Sequence, residues 1–203
     1  MKPFYFIILL LCTGACHNGD RQKELVTLPV SDVAVGDIVF RKGLGVKSQA
    51  ITYTDSLSVY SHVGIVVKND SNFFVVHITP DEREKGATVD RIKMELLRDF
   101  FMPSKTRHGM FMRFSDSTEI AAVAAKHAVR LYQKGILFDH DYNLYDTVAM
   151  YCTEMVWYAY LLAGRDVTQG RRHVLQGIPR FSGEYIFPSD IHKNSKLYVY
   201  FKF

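Results

Sequence analysis

Two apolar segments, His62-Val63-Gly64-Ile65-Val66-Val67 and Phe73-Phe74-Val75-Val76-His77-Ile78, flank Lys68-Asn69-Asp70-Ser71-Asn72. β-Branched and aromatic residues fill both segments, and the residues between them are turn formers. The pattern predicts strands over His62–Lys68 and Phe73–Ile78, joined as a hairpin. Their near-continuous apolar character is that of buried strands. Each carries one histidine, His62 at the start of the first and His77 at the end of the second. In an antiparallel hairpin those two positions lie side by side.

Other elements follow from local signals. Val35-Gly36-Asp37-Ile38-Val39-Phe40 reads as a turn, set by Asp37, leading into a strand. Gly43 and Gly45 loosen the chain before a short helix near Ser48–Thr54. Ala87–Ile92 and Gly109–Phe114 are predicted strands, and Met94–Phe101 a helix ended by Pro103. Ser117-Thr118-Glu119 opens an Ala-rich helix to Gln133 with Gly135 as its stop. Phe138–Asp146 reads as loop. A second helix runs from Cys152 to Leu162, apolar on nearly every side, which places it inside the domain. Tyr198–Phe203 alternates as a final strand. Strands concentrated in the first half, with helices around a sheet, give an α+β class.

The chain has 203 residues, 48% of them hydrophobic and 23% charged, which fits one globular domain with its own core. Its amino terminus is distinct. Lys2, then Phe4-Tyr5-Phe6-Ile7-Ile8-Leu9-Leu10-Leu11, then Thr13-Gly14-Ala15-Cys16 resembles a bacterial lipoprotein signal, with Thr13 departing from the usual Leu. That apolar run is shorter than the roughly 18–20 residues of a spanning helix. The expected organisation is a signal over 1–15, lipid on Cys16, a polar tether over 16–30 and a domain over 31–203. Lipidation would tether the domain to a bacterial membrane at the cell envelope. Removing Lys2 lowers the net charge from +4 to +3, too little to imply nucleic acid. The arginines at 165, 171, 172 and 180 read as a solvated loop.

With Cys12 lost and Cys16 lipidated, Cys152 is the one thiol that remains, with no disulfide partner. It is either an inert buried thiol or a nucleophile. Its place at a helix start favours the second reading. The unpaired N–H groups there favour a thiolate and can hold the oxyanion formed when sulfur attacks a carbonyl. His62 is then the candidate base and His77 the group that orients it. Tyr151 is a candidate for the oxyanion side. Glu154 is expected to bind near the helix start or to pair with Arg41. Asp139-His140-Asp141 with Asp146 matches no common metal spacing, so no metal or cofactor is expected. Gly43-Leu44-Gly45 lacks the ending of a phosphate loop and reads as a mobile cleft rim.

Gly36-Asp37-Ile38-Val39-Phe40, Ser61-His62-Val63-Gly64-Ile65-Val66 and Val76-His77-Ile78 together resemble the catalytic sheet of NlpC/P60 papain-like cysteine hydrolases. That family places its cysteine helix before these strands. Here Tyr151-Cys152-Thr153-Glu154-Met155-Val156-Trp157 follows them, an order similar to the circularly permuted YiiX/YaeF-like branch. The resemblance covers roughly residues 33–192. It implies a permuted papain-like fold with Cys152 as nucleophile, His62 as base and His77 as third polar residue. Many permuted relatives carry Glu at that last place. It also implies cleavage of an amide bond, in cell-wall-type peptides, without cofactor. Two alternatives stay open: a lipid-acting acyltransferase or thioesterase on the same scaffold, and a non-catalytic lipoprotein that binds peptide or glycan. The substrate would be a peptide or a lipid-like amide or ester. Nothing in the sequence sets the oligomeric state.

Overall fold

The computed structural model describes residues 26–80, 82–83, 86–144, 146–175 and 183–203. Cys12, Cys16, Arg180 and the expected signal lie outside the described residues, as does most of the expected tether.

The two continuous apolar segments of the hairpin form the middle of a six-stranded antiparallel sheet. Its strands are β1 (Ile38–Gly43), β2 (His62–Asn69), β3 (Asn72–His77), β4 (Lys93–Leu96), β5 (Thr106–Phe114) and β10 (Leu197–Lys202). The order across the sheet is β10-β5-β1-β2-β3-β4. The hairpin register pairs Ile65 with Val76 and Asn69 with Asn72, and Asp70 takes the positive φ of 51° that closes the turn. Two short pairs, β6 (Leu137–Phe138) with β7 (Ala149–Met150) and β8 (His173–Val174) with β9 (Glu184–Tyr185), lie outside this sheet.

Because side chains alternate along a strand, each face of the sheet buries its own set. Ile38, Phe40, Val63, Ile65, Val67, Met110 and Met112 face one layer, formed by α3 (Thr118–Lys134) and α4 (Cys152–Leu162). Val39, Val66, Val75 and Phe111 face the other, covered by Leu97, Phe100 and Phe101 in and beside α2 (Leu97–Phe100). Leu28, from the segment expected as tether, also packs there. The caps of α3 match the sequence: Ser117 Oγ accepts from Ile120 N at 3.2 Å, and Gly135 closes the helix at φ 67°. The remaining helices are α1 (Val46–Thr54) and α5 (Pro188–His192).

Three expectations are corrected. Ala87–Ile92 forms no strand; within it only an isolated bridge joins Arg91 to Leu137. Met94–Phe101 is not one helix: residues 93–96 add to the edge of β3, and the helix starts at Leu97. The described arginines of the expected solvated loop are engaged. Arg171 donates to Asp190 O at 2.8 Å, Arg172 lies over Trp157 at 4.7 Å, and Arg165 lies over Phe114 at 4.7 Å while pairing with Asp116. The interior reading of α4 holds as far as Ala159 and Tyr160; Leu161 and Leu162 at its end are exposed. Among the described residues no helix is long and apolar enough to cross a membrane.

Candidate active site

The sheet brings His62 and His77 together as the hairpin requires. Register sets Gly64 opposite His77, and a Cβ at residue 64 would come within 3.0 Å of the His77 Cβ. The missing side chain at Gly64 is what lets the two rings lean together. His62 Nε2 meets His77 Nδ1 at 2.8 Å, with the rings nearly perpendicular.

One further residue, unseen in the sequence, continues this line. His77 Nε2 meets Glu95 Oε1 at 2.8 Å. Glu95 stands on β4, the strand that had been expected as helix. An ionised carboxylate only accepts, so it fixes the proton of His77 on Nε2. His77 Nδ1 then accepts from His62 Nε2–H, which leaves the lone pair of His62 on Nδ1. One carboxylate thus sets two tautomers in series.

Charges around the relay keep both rings neutral. Burial pushes the His62 and His77 pKa values well below 6.5, and the cations Arg41 and Lys93 push in the same direction. Arg41 is 1% exposed. It donates to Phe100 O at 2.8 Å, lies 4.5 Å from the centre of the Phe100 ring and pairs with Glu82. Of the two partners expected for Glu154, Arg41 is therefore not the one it takes. Burial raises the Glu82 carboxyl, but the Arg41 guanidinium outweighs it and holds the pKa at about 2. Lys105 bonds to the outer oxygen of Glu95 at 2.5 Å.

Cys152 approaches from the opposite layer. It is the first residue of α4 and sits partly exposed on a cleft of about 550 Å³ that His62 also lines. Burial raises its thiol to about 11, while the backbone N–H groups of Val63, Thr153 and Cys152 itself favour the thiolate. The N–H of Val63 belongs to the residue next to the candidate base, so β2 meets the sulfur directly. The described residues show no hydrogen bond between Sγ and the His62 ring. At rest the site therefore holds a neutral thiol and a neutral imidazole, and burial outweighs the helix-start effect expected from the sequence.

Tyr151 lines the same cleft. Its hydroxyl accepts from Ile186 N at 3.1 Å and its ring lies 5.4 Å from Tyr142, so it braces the wall beside the sulfur. Glu154 caps its own helix: Oε2 accepts from Tyr151 N at 3.2 Å. Burial, with Asp139 and Asp146 nearby, raises its carboxyl to about 9. Asp139 closes a turn by accepting from Asp141 N at 2.8 Å. Asp37 sets its turn through Ala34 N at 2.7 Å and also pairs with Arg113 at 2.7 Å.

These shifts give folding a pH optimum. In the unfolded chain histidine takes up a proton as pH falls through 6.5, while the folded His62 and His77 do so only well below it. Their contribution is full above 6.5 and is lost as pH falls below it. Glu154 acts oppositely: its contribution is full below 4.5 and is lost as pH rises to about 9. Stability is expected to peak near pH 6.5 and to fall both toward pH 5 and toward pH 8. Burial also lowers His192, which steepens the acid limb. Urea titrations across pH check this, and Glu154→Gln is expected to flatten the alkaline limb.

A mixed fold with a six-stranded antiparallel sheet and a cysteine-led helix defines the molecule at the level of architecture. The same fold occurs in a solved structure, metalloprotein YiiX from Escherichia coli O157:H7. That match has a TM-score of 0.66 and 21% identity, and covers 83% of this chain and 97% of that one. At that identity the likeness is one of fold. No protein-family model matches the chain, and no curated protein matches it significantly. The neighbour is described as a metalloprotein. In this chain no three described His, Cys, Asp or Glu side chains are grouped to hold a metal ion. His62 and His77 turn their facing nitrogens to each other.

Proposed function

We propose that the protein is a thiol hydrolase of the permuted papain-like type, cleaving an amide bond through an acyl-enzyme on Cys152. The observation that carries this reading is the Glu95–His77–His62 relay, which leaves a lone pair on His62 Nδ1 in the same cleft as Cys152. A neutral imidazole and a neutral thiol that line one cleft supply the two groups general-base chemistry needs. His62 Nδ1 takes the Sγ proton as sulfur bonds to the carbonyl carbon. The oxyanion is held at the start of α4, where the N–H of Cys152 is available. The amine departs with the proton from His62, and water then releases the acid by the reverse sequence. The thiol–imidazole contact closes when substrate enters, as is common for catalytic hydrogen bonds that are loose in the free enzyme.

The family-type substrate is a cell-wall peptide. The cleft favours a second acyl donor as well. Leu44, Val46, Ile51, Phe138, Tyr185 and Phe187 line it and suit an acyl chain. This supports a lipid-acting acyltransferase or thioesterase. A lipid on Cys16 would hold either enzyme at an envelope membrane. Incubation of the protein with muropeptides and, separately, with phospholipids tests the choice. Mass loss at a peptide amide supports the amidase, and transfer or release of a fatty acyl group supports the lipid enzyme. Neither product, with binding retained, would favour a non-catalytic binding protein.

Glu95 acts through His77 and never touches the substrate, so it is a positioning residue. Glu95→Gln keeps an acceptor but adds an NH₂ that can reverse both tautomers. A loss of about tenfold to a hundredfold in kcat/KM is expected with the fold retained, checked by kinetics beside thermal unfolding.

A further inference from the structure

Tyr142 holds a backbone conformation that tyrosine disfavours. Its φ is 54°, in the left-handed region. Among the described residues only Asp70 and Gln169 share a positive φ without being glycine, and both are polar residues in turns. The loop around Tyr142 is clamped to impose its conformation. Buried Asp139 accepts from Asp141 N at 2.8 Å and from Asn143 N, one residue to either side. Strain of this kind persists only where the surroundings fix it, and it gathers at functional sites. Glycine would make the same turn without strain, so the turn alone does not call for tyrosine.

The clamp sets the ring in the cleft wall beside the nucleophile. Tyr142 and Cys152 line the same cleft. The Tyr142 ring stands edge-on to Phe138 at 5.9 Å and lies 5.4 Å from Tyr151, the residue before Cys152. Among the described residues the tyrosines of the cleft are Tyr142, Tyr151 and Tyr185. Tyr151 and Tyr185 are each 5% exposed, and the Tyr151 hydroxyl is engaged with Ile186 N; Tyr142 is partly exposed. Burial pushes the Tyr142 hydroxyl up to about 12, and the charges of Cys152 and Asp139 push in the same direction. The hydroxyl therefore keeps its proton at neutral pH and remains a donor. Its response to the charge of Cys152 also places it within electrostatic reach of the sulfur.

Acyl transfer calls for such a donor. As the sulfur of Cys152 bonds to the carbonyl carbon, the C=O π pair moves onto oxygen, and the N–H of Cys152 is one group to receive it. Oxyanion sites combine backbone N–H groups with side-chain donors, tyrosine among them. Resting on the thiol-hydrolase reading, we propose that Tyr142 is a catalytic residue whose hydroxyl donates a second hydrogen bond to the oxyanion on the acyl carbon. No proton leaves Tyr142 in this step. His62 still carries the thiol proton to the leaving group.

Acylation of the full chain by a p-nitrophenyl acyl ester, and by the matching thionoester, tests the proposal in wild type and Tyr142→Phe. Phenylalanine keeps the ring and removes only the hydroxyl, and thermal unfolding reports whether the variant keeps its fold. With the ester, Tyr142→Phe is expected to acylate about 10²-fold more slowly. The thionoester places sulfur, a weak hydrogen-bond acceptor, where the oxyanion would form, so the wild-type advantage should shrink to about tenfold or less. Equal ester rates in the two proteins, with Cys152 acylated in both, overturn the role of Tyr142 and leave the thiol chemistry standing. A slower variant with the same ratio for ester and thionoester also overturns it, by assigning Tyr142 to packing. Wild type that leaves Cys152 unacylated overturns the thiol-hydrolase reading and this proposal with it.

Discussion

Cys152→Ala is expected to abolish turnover, by about 10⁴-fold or more in kcat, while leaving the fold intact. The effect is large because no described side chain could take over the covalent step: Cys152 is the one free cysteine among the described residues. Nearby hydroxyls are differently committed. Tyr151 is buried, and its burial raises the hydroxyl above its ordinary pKa of 10.0; Thr153 Oγ1 donates to Ile186 O at 2.6 Å. The stability change should be small, about 1 kcal/mol or less, since only a partly exposed sulfur is removed. Steady-state kinetics with chemical unfolding separates the two effects. Turnover that survives the substitution would place the chemistry elsewhere.

His62→Ala is expected to lower kcat by about 10²- to 10⁴-fold, the range of a lost general base. It should also cost stability, about 1–3 kcal/mol, because His77 Nδ1 loses its partner in a buried site. His62→Gln separates the two. Its amide can still bond His77 and recover much of the stability, but it cannot accept the thiol proton at neutral pH. Activity should stay low in both variants while stability differs. His77→Ala is expected to lose less activity than His62→Ala, because it acts through the His62 ring. Recovery of activity in the glutamine variant would mean that His62 holds structure and is not the base.

The parts of the site that could be read from the sequence are those that local chemistry specifies. Turn residues at 69–72 and continuous β-branched runs force the hairpin, and the hairpin forces His62 beside His77. The cap at Ser117 and the stop at Gly135 define α3 in the same way, and Cys152 opens its helix as expected. Glu95 was not legible for a physical reason. Lys93-Met94-Glu95-Leu96 alternates over only four residues, too few to outweigh the helix preference of Met, Glu and Leu in Met94-Glu95-Leu96-Leu97-Arg98. Those at 93–96 become strand because the open edge of β3 offers unpaired backbone groups, a tertiary demand that overrides propensity. The arginines at 165, 171 and 172 were likewise read as solvated because their partners Asp116, Asp190 and Trp157 lie on other segments. The raised thiol of Cys152 had no local sign either, since a helix start argues for a thiolate and only the packed layers argue against it.

The central claim is that sulfur of Cys152 becomes acylated with His62 taking its proton. Mixing the protein with a p-nitrophenyl acyl ester and following intact mass measures that step directly. The account predicts a burst of p-nitrophenol, an acyl group mapped to Cys152, and acylation about 10²-fold or more slower in His62→Gln. An acyl group on another residue, or equal acylation rates in the two proteins, would contradict it.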